Sequence, residues 1–377
     1  MTAAVPARSA TGTAGRRSIR VLVVVVTIVL LGELAARALG PHLPPTSLGD
    51  AAEMQLKFDR IRDLAHGPPT NMVIIGNSIA DRGIDPAVMT ATRPDLGTVY
   101  NAALVGAPLR GEARWARRFV LGRLRPDVVV LAVSPVDVLA IDPIATLTGH
   151  TGDADSGPAQ IAAIESKFTE TLDRLDPGTF RRIDDRLGDV SALVEHRSSL
   201  RHPVDLARAA SDLLHGRPAR TGLAQVGAVD GRLVPRDQAY WRASLTPEGY
   251  ARELDLNVIP AVLDDRPRRV IASVLATTDL QTATLNELLQ AVGGGGRSVV
   301  LAIIPPASKW LDDHHVDRTT LTLAEATIAR QGRDAGATVV DLATLRYPAA
   351  DYTDPFHLNR VGAARFSADL ARALPRR

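Results

Sequence analysis

The chain contains no cysteine, which excludes disulfides, thiolate catalysis and cysteine-ligated metal centres. That absence is compatible with every redox compartment, so it does not locate the protein. Aromatic residues make up only 4% of the sequence, which leaves few platforms on which bases or sugars can stack. An excess of one charge is also missing: Lys plus Arg is 44 against 42 for Asp plus Glu, a formal charge of +2. That balance creates no strong field for nucleic acid, and no nucleic-acid partner is expected. No internal repeat is visible. What remains is 377 residues at 45% hydrophobic and 23% charged, the composition of one large α/β domain carrying an insertion.

Long apolar runs are absent except at the N-terminus. Arg16, Arg17 and Arg20 precede the stretch Val21-Leu-Val-Val-Val-Val-Thr-Ile-Val-Leu-Leu31. Extended from Ile19 to Ala36, with Glu33 and Arg37 near an interface, the run is long enough to span a bilayer. Positive charge flanks its N-terminal side, so the expected orientation is N-terminus inside and the bulk of the chain outside. A cleaved signal peptide is the competing reading, because Ala36-Arg-Ala38 resembles a small-residue cleavage site. Arg16-Arg17 also resembles a twin-arginine signal. Each of these readings exports the domain, whereas a buried core helix would not. The expected organisation is a basic cytoplasmic leader at 1–18, a transmembrane signal anchor at 19–39, a linker and helix at 40–69, and an α/β domain at 70–377. The expected location is the cell membrane, single-pass, with that domain extracytoplasmic.

Pro41-His-Leu-Pro-Pro45 reads as a linker, followed by a helical pattern from Ala51 to Leu64 that Gly67-Pro-Pro69 ends. Five short runs rich in Val and Ile then read as fully buried strands: Met72–Ile75, Thr98–Asn101, Val128–Val133, Ser298–Ile304 and Thr338–Asp341. Helix-length segments separate them, among them Gly111–Leu124 and Thr320–Gly336. This pattern predicts a parallel sheet covered on both faces, a three-layer α/β architecture whose ligands sit beyond the carboxyl ends of the strands. Ser78, Asp137, Pro305 and the loop carrying His357 fall at that edge. From about 139 to 296 the chain is too long for a single loop and reads as a helical insertion or lid, with a Gly/Asp/Ser-rich stretch at Thr148–Gly157 and a turn-like Val226–Arg236. The glycines Gly293–Gly296 precede a strand, the reverse of a phosphate-cradling order, and read as a turn.

Two distant segments carry chemistry. Asn71-Met-Val-Ile-Ile-Gly-Asn-Ser78 delivers a serine to the end of the first strand, and Asp354-Pro-Phe-His357 puts a carboxylate three residues before an imidazole. Serine as nucleophile, histidine as base and aspartate as orienting acid are the three roles of a serine hydrolase triad. Each segment has a bland reading as well: Ser78 as a helix N-cap, Asp354 as a cap or turn residue, and His357 packed against the amphipathic helix that follows from Leu358. Other candidates are weaker. Asp312-Asp-His-His315 has metal-ligand chemistry but adjacent residues rarely converge on one ion, so no metal and no cofactor is expected. Arg82, one turn after Ser78, reads as an anion contact or a surface ion pair. Arg110, Arg114, Arg117 and Arg118 form a basic helical face of the kind that is usually solvated.

Gly76-Asn-Ser78 after a hydrophobic strand, Gly106 in Tyr100-Asn-Ala-Ala-Leu-Val-Gly-Ala-Pro108, and Asp354-x-x-His357 before a C-terminal helix resemble the first, second and fifth blocks of the SGNH (GDSL-like) hydrolase superfamily. With Asp81-Arg-Gly-Ile-Asp-Pro86, the N-terminal anchor and His357-Leu-Asn359, the chain is similar to membrane-anchored bacterial envelope members near the alginate O-acetyltransferase and D-alanyl-transfer proteins. The resemblance covers residues 70–137 and 298–375. It implies a flavodoxin-like sheet, Ser78 as nucleophile, His357 as base, Asp354 as its partner, and an oxyanion hole of the Ser78 and Gly106 N–H groups. Two departures stand out. The family's Gly-Asp-Ser is Gly76-Asn77-Ser78 here, and its Gly-x-Asn-Asp is Ser134-Pro-Val-Asp137, so Val136 replaces the oxyanion-donating asparagine. Loss of such a donor costs about 100–1000-fold in turnover, unless Ser134 or Asn101 takes over.

The expected function is a serine esterase or O-acyltransferase acting on acyl esters of a cell-envelope glycan, with an acylated or acceptor glycan and a membrane acyl-transfer protein as partners. Arg82, Asn101, Ser134 and Asp137 are candidate substrate-binding residues. The alternative is a catalytically inactive envelope scaffold or glycan-binding protein that keeps the fold. Val136 favours that alternative; the joint presence of Ser78, Asp354 and His357 opposes it.

Overall fold

The computed structural model describes residues 12–43, 51–139, 158–175, 190–196, 200, 203–217, 226–229, 232–236, 238–252, 271–272, 275 and 279–376. The expected Gly/Asp/Ser-rich stretch Thr148–Gly157 and most of the basic leader lie outside the described residues. The chain divides into two compact units, one of 1–46 with 177–224 and one of 47–176 with 225–377.

The larger unit is mixed α/β, built on a five-stranded parallel sheet in the order β2-β1-β3-β6-β7. Its strands are β1 (Met72–Ile75), β2 (Val99–Asn101), β3 (Val128–Val133), β6 (Ser298–Ile303) and β7 (Thr338–Asp341). A separate antiparallel hairpin pairs β4 (Val226–Val229) with β5 (Arg232–Pro235). Each sheet strand was expected within a residue or so of these bounds. Central strands bury both faces and so read as unbroken apolar runs.

Alternate residues feed opposite faces. Val73, Ile75, Val129, Leu131, Val133, Leu301 and Ile303 enter one buried cluster; Met72, Ile74, Val128, Val130, Ala132, Val300 and Ala302 enter the other. Helices Ala51–Leu64, Pro158–Leu175 and Thr282–Val292 contribute to the first cluster. The short helices after β1 and the C-terminal helix Arg360–Ala373 contribute to the second. Each fully buried Val, Leu or Ile contributes about 1.5–3 kcal/mol relative to leaving it in water, so the two clusters are what flatten these runs into a sheet.

Helix Ala51–Leu64 forms where its pattern predicts it, and Met54, Phe58 and Ile61 are buried in the core of the larger unit. Other expectations are corrected. The insertion is not purely helical, because it holds the β4–β5 hairpin. Its C-terminal end also falls short of 296. Leu139 bridges Leu280, and the Gln281 N–H donates to the Val138 carbonyl at 2.7 Å. Helix Thr282–Val292 is therefore the crossover between β3 and β6 rather than insertion. The expected helix Gly111–Leu124 starts at Leu109 and widens into a π-helical turn over Ala116–Leu121.

The smaller unit holds the N-terminal helix Gly12–Leu39. Ile19–His42 is long and apolar enough to cross a membrane. Glu33, the lone acid near its C-terminal end, accepts from the Ser191 hydroxyl and from the Ala192 and Leu193 N–H groups at 2.8, 2.9 and 3.2 Å. It thereby caps the short helix Ala192–Glu195, while Arg37 bonds both Glu33 and the Val190 carbonyl. An orphan carboxylate in an apolar helix is thus given donors within its own unit.

Candidate active site

The site forms between β1 and β3, whose outgoing connections run to opposite sides of the sheet, to β2 and to β6. Such a switch point opens a crevice at the carboxyl edge of a parallel sheet. β1 ends at Ile75 and the chain turns through Gly76, whose missing Cβ leaves room for Ala80 Cβ and the Ala132 carbonyl oxygen, 2.6 and 2.7 Å from where that atom would sit. Any larger residue would push the turn off β3. Asn77 then caps the helix Ser78–Gly83, its side-chain oxygen accepting from the Ile79 N–H at 3.0 Å. This settles the bland reading of Ser78: the cap is Asn77, and the Ser78 hydroxyl is left for other work.

That hydroxyl lies 2.9 Å from His357 Nε2. His357 Nδ1 lies 2.7 Å from Asp354 Oδ2. The three side chains form one continuous chain of hydrogen bonds across 279 positions of sequence. His357 is buried and Ser78 half-buried.

The arm carrying His357 is rigid for local reasons. Phe356 and Leu358 on either side of it are buried in the second apolar cluster. Tyr352 bridges Leu358, and the Thr353 N–H donates to the His357 carbonyl at 2.9 Å. The Ala307 N–H donates to the Pro355 carbonyl at 2.8 Å and pins the loop to the chain leaving β6. Asn359 caps the C-terminal helix by accepting from the Val361 and Gly362 N–H groups, so Asp354 is free of that duty too. Asp354 Oδ1 accepts from the Phe356 and His357 N–H groups at 2.8 and 2.9 Å. Burial alone would push this carboxyl up. The imidazole beside it and those hydrogen bonds outweigh burial and hold it below the usual carboxylate range. An ionised Asp354 fixes the proton on Nδ1 and leaves Nε2 to accept from serine.

Gly106 is the exposed residue of an otherwise buried loop after β2, with a φ of +68°, a left-handed conformation that glycine adopts without strain. Among the described residues, no protein acceptor takes its N–H or that of Ser78, the first residue of its helix.

The other expected site residues have structural duties. Asn101 is fully buried; its amide donates to the Ala80 and Ile84 carbonyls at 3.0 and 2.8 Å and its oxygen accepts from the Ala103 N–H. It clamps the loop after β2 to the serine helix. Ser134 is 1% exposed and its N–H donates to Asp137 Oδ2 at 2.7 Å. Asp137 in turn accepts from the Asn77 amide at 2.6 Å and so holds Asn77. Val136 is buried in the second apolar cluster. Arg82 is half-buried on the serine helix, one turn beyond Ser78.

Elsewhere, Asp312 pairs with Arg318 and Arg346, Asp313 with Lys309, and His314 stacks on Trp310 at 4.3 Å. No group of three acidic or imidazole side chains able to hold a metal occurs among the described residues. The basic face is paired: Arg110 with Glu165 and Glu287, and both Arg114 and Arg118 with Asp173.

Sequence reasoning missed two buried groups near the crevice. Glu112 is 2% exposed; burial, and then the nearby Asp137 carboxylate, push its carboxyl well above the usual range. Glu53 and Lys57 are buried with Asp81. The signal was there: both fall on the apolar stripe of Met54, Phe58 and Ile61, where an exposed helix keeps its charges off.

No protein-family model matches the chain, and no curated protein matches it.

Proposed function

We propose that this protein is a membrane-anchored, extracytoplasmic serine esterase or O-acyltransferase of the SGNH type, with a flavodoxin-like three-layer α/β/α domain, acting on acyl esters of a cell-envelope glycan. The observation that carries the reading is the Ser78–His357–Asp354 chain at 2.9 and 2.7 Å. The strand order β2-β1-β3-β6-β7 supports the fold, and the apolar helix at Ile19–His42 supports the anchor.

In this mechanism Ser78 Oγ attacks the ester carbonyl carbon as its proton passes to His357 Nε2. Negative charge gathers on the former carbonyl oxygen, where the N–H groups of Ser78 and Gly106 stabilise it. Collapse expels the alcohol, which takes the proton from His357 and leaves an acyl-serine. Water, or a sugar hydroxyl in the transferase case, gives its proton to His357, attacks the acyl carbon and regenerates Ser78. Asp354 stays ionised throughout and steadies the imidazolium.

Labelling with a fluorophosphonate probe tests this. The wild-type chain is expected to gain one adduct, mapped to Ser78 by mass spectrometry, and Ser78→Ala none. Absence of labelling in the wild type would favour the second reading, an envelope scaffold that binds glycan without turnover. One observation favours that reading: Val136, buried in the second apolar cluster, supplies no third oxyanion donor.

A further inference from the structure

We propose that Glu53 and Lys57, on the helix preceding the sheet, are positioning residues that hold the Ser78 and Gly106 N–H donors in register. The proposal rests on the serine-hydrolase reading of Ser78. Both side chains are essentially inaccessible and lie 3.3 Å apart as an i,i+4 ion pair. Lys57 donates to Asp81, which sits one turn beyond Ser78 on the same short helix, and also to the Ala103 carbonyl. Glu53 Oε2 accepts from the Val105 N–H at 3.1 Å. Val105 immediately precedes Gly106. One buried ion pair therefore holds the nucleophile's helix on one side and the loop that presents Gly106 on the other.

Stability is a poor explanation for this arrangement. A buried ion pair recovers little beyond its own desolvation cost, and apolar replacements of similar volume are often as stable or more so. What a buried, hydrogen-bonded pair does well is fix geometry, and oxyanion donors are useful only within about 2.7–3.1 Å of the developing charge. Gly106, the exposed residue of that loop, takes its position from the buried residues that flank it, Val105 among them. With Val136 in place of a third donor, two N–H groups carry the whole task, and displacement of either by about 1 Å costs on the order of 100-fold.

The test is the kinetics of fluorophosphonate labelling on the full-length chain in detergent, with the maximal labelling rate separated from the half-saturating probe concentration. Glu53→Ala, which deletes the acceptor for Val105, is expected to lower the maximal rate about 100-fold and leave the half-saturating concentration within about threefold. Glu53→Gln keeps an oxygen for Val105 and is expected to recover at least about tenfold of that loss. A change that was merely structural would lower the melting temperature without this split and without the rescue. Should Glu53→Ala fail to fold, Lys57→Met combined with Asp81→Asn removes the cation and its nearest anion together, and a maximal rate about tenfold below wild type is expected. Wild type labelled at Ser78 with either variant within threefold of it, or Glu53→Gln as slow as Glu53→Ala, overturns the positioning role. A wild type that is not labelled overturns the hydrolase reading instead.

Discussion

Asn77 donates its side-chain amide to Asp137 at 2.6 Å while its oxygen caps the helix that begins at Ser78. One side chain thus joins the end of β1 to the turn after β3 and sets the nucleophile's helix in place. The arrangement gives a physical reason for asparagine where the Gly-Asp-Ser pattern carries aspartate: Asp137, already accepting from the Ser134 N–H, needs a donor opposite it. Replacing Asn77 by aspartate sets two carboxylates at hydrogen-bond distance, where both cannot stay ionised. Asn77→Asp is expected to lose about 1–3 kcal/mol of unfolding free energy at pH 7, less at pH 5 where the pair shares a proton. Adding Asp137→Asn restores a donor–acceptor pair and most of the loss. Urea unfolding at the two pH values measures both effects.

Asp354 fixes the tautomer of His357, so Asp354→Asn is expected to lower the rate of fluorophosphonate labelling about 10,000-fold with the fold intact. Its pH dependence has a definite sign. The folded-state pKa lies below the unfolded value, so Asp354 stabilises the fold above the unfolded pKa, and this stabilisation is lost as pH falls through the folded one. Wild-type melting temperature should fall more steeply on acidification below about pH 4 than that of Asp354→Asn. Equal slopes in a thermal scan would show that the carboxylate is not held as described.

Glu112 has the opposite sign. Burial, and then the Asp137 carboxylate, raise its pKa above the unfolded value, so the folded chain keeps a proton that the unfolded chain releases. Stability is therefore reduced as pH rises from the unfolded pKa through the folded one. Glu112→Gln removes the titration, and its melting temperature relative to wild type is expected to climb steadily between pH 4 and pH 8. A constant difference across that range would place Glu112 in a solvated setting.

How far these features were legible depends on what encodes them. The sheet strands were readable because burial on both faces demands unbroken apolar runs, as at Val128–Val133. Ala51–Leu64 was readable as a helix, but Glu53 and Lys57 interrupt its apolar stripe, and the residue that accounts for Lys57, Asp81, comes 24 positions later. The C-terminal end of the insertion was placed too late because a backbone hydrogen bond from Gln281 closes it, and backbone groups leave no mark in the residue types. Asn101 and Ser134 were rightly placed at strand ends, but the bonds of Asn101 to the Ala80 and Ile84 carbonyls were not legible. Position along a strand follows from pattern; the direction taken by the chain after it does not.

Residue order by itself determined the apolar N-terminal helix, the parallel strands and the presence of a serine, an imidazole and a carboxylate at strand ends or in a loop, since burial and turn chemistry act over a few neighbouring positions. Only the tertiary structure decided that Asn77, not Ser78, caps the helix, that His357 reaches Ser78, and that Lys57 and Asn77 brace the two sides of the crevice. Those are matters of a few tenths of an ångström between segments brought together by packing, and no local pattern carries such a distance.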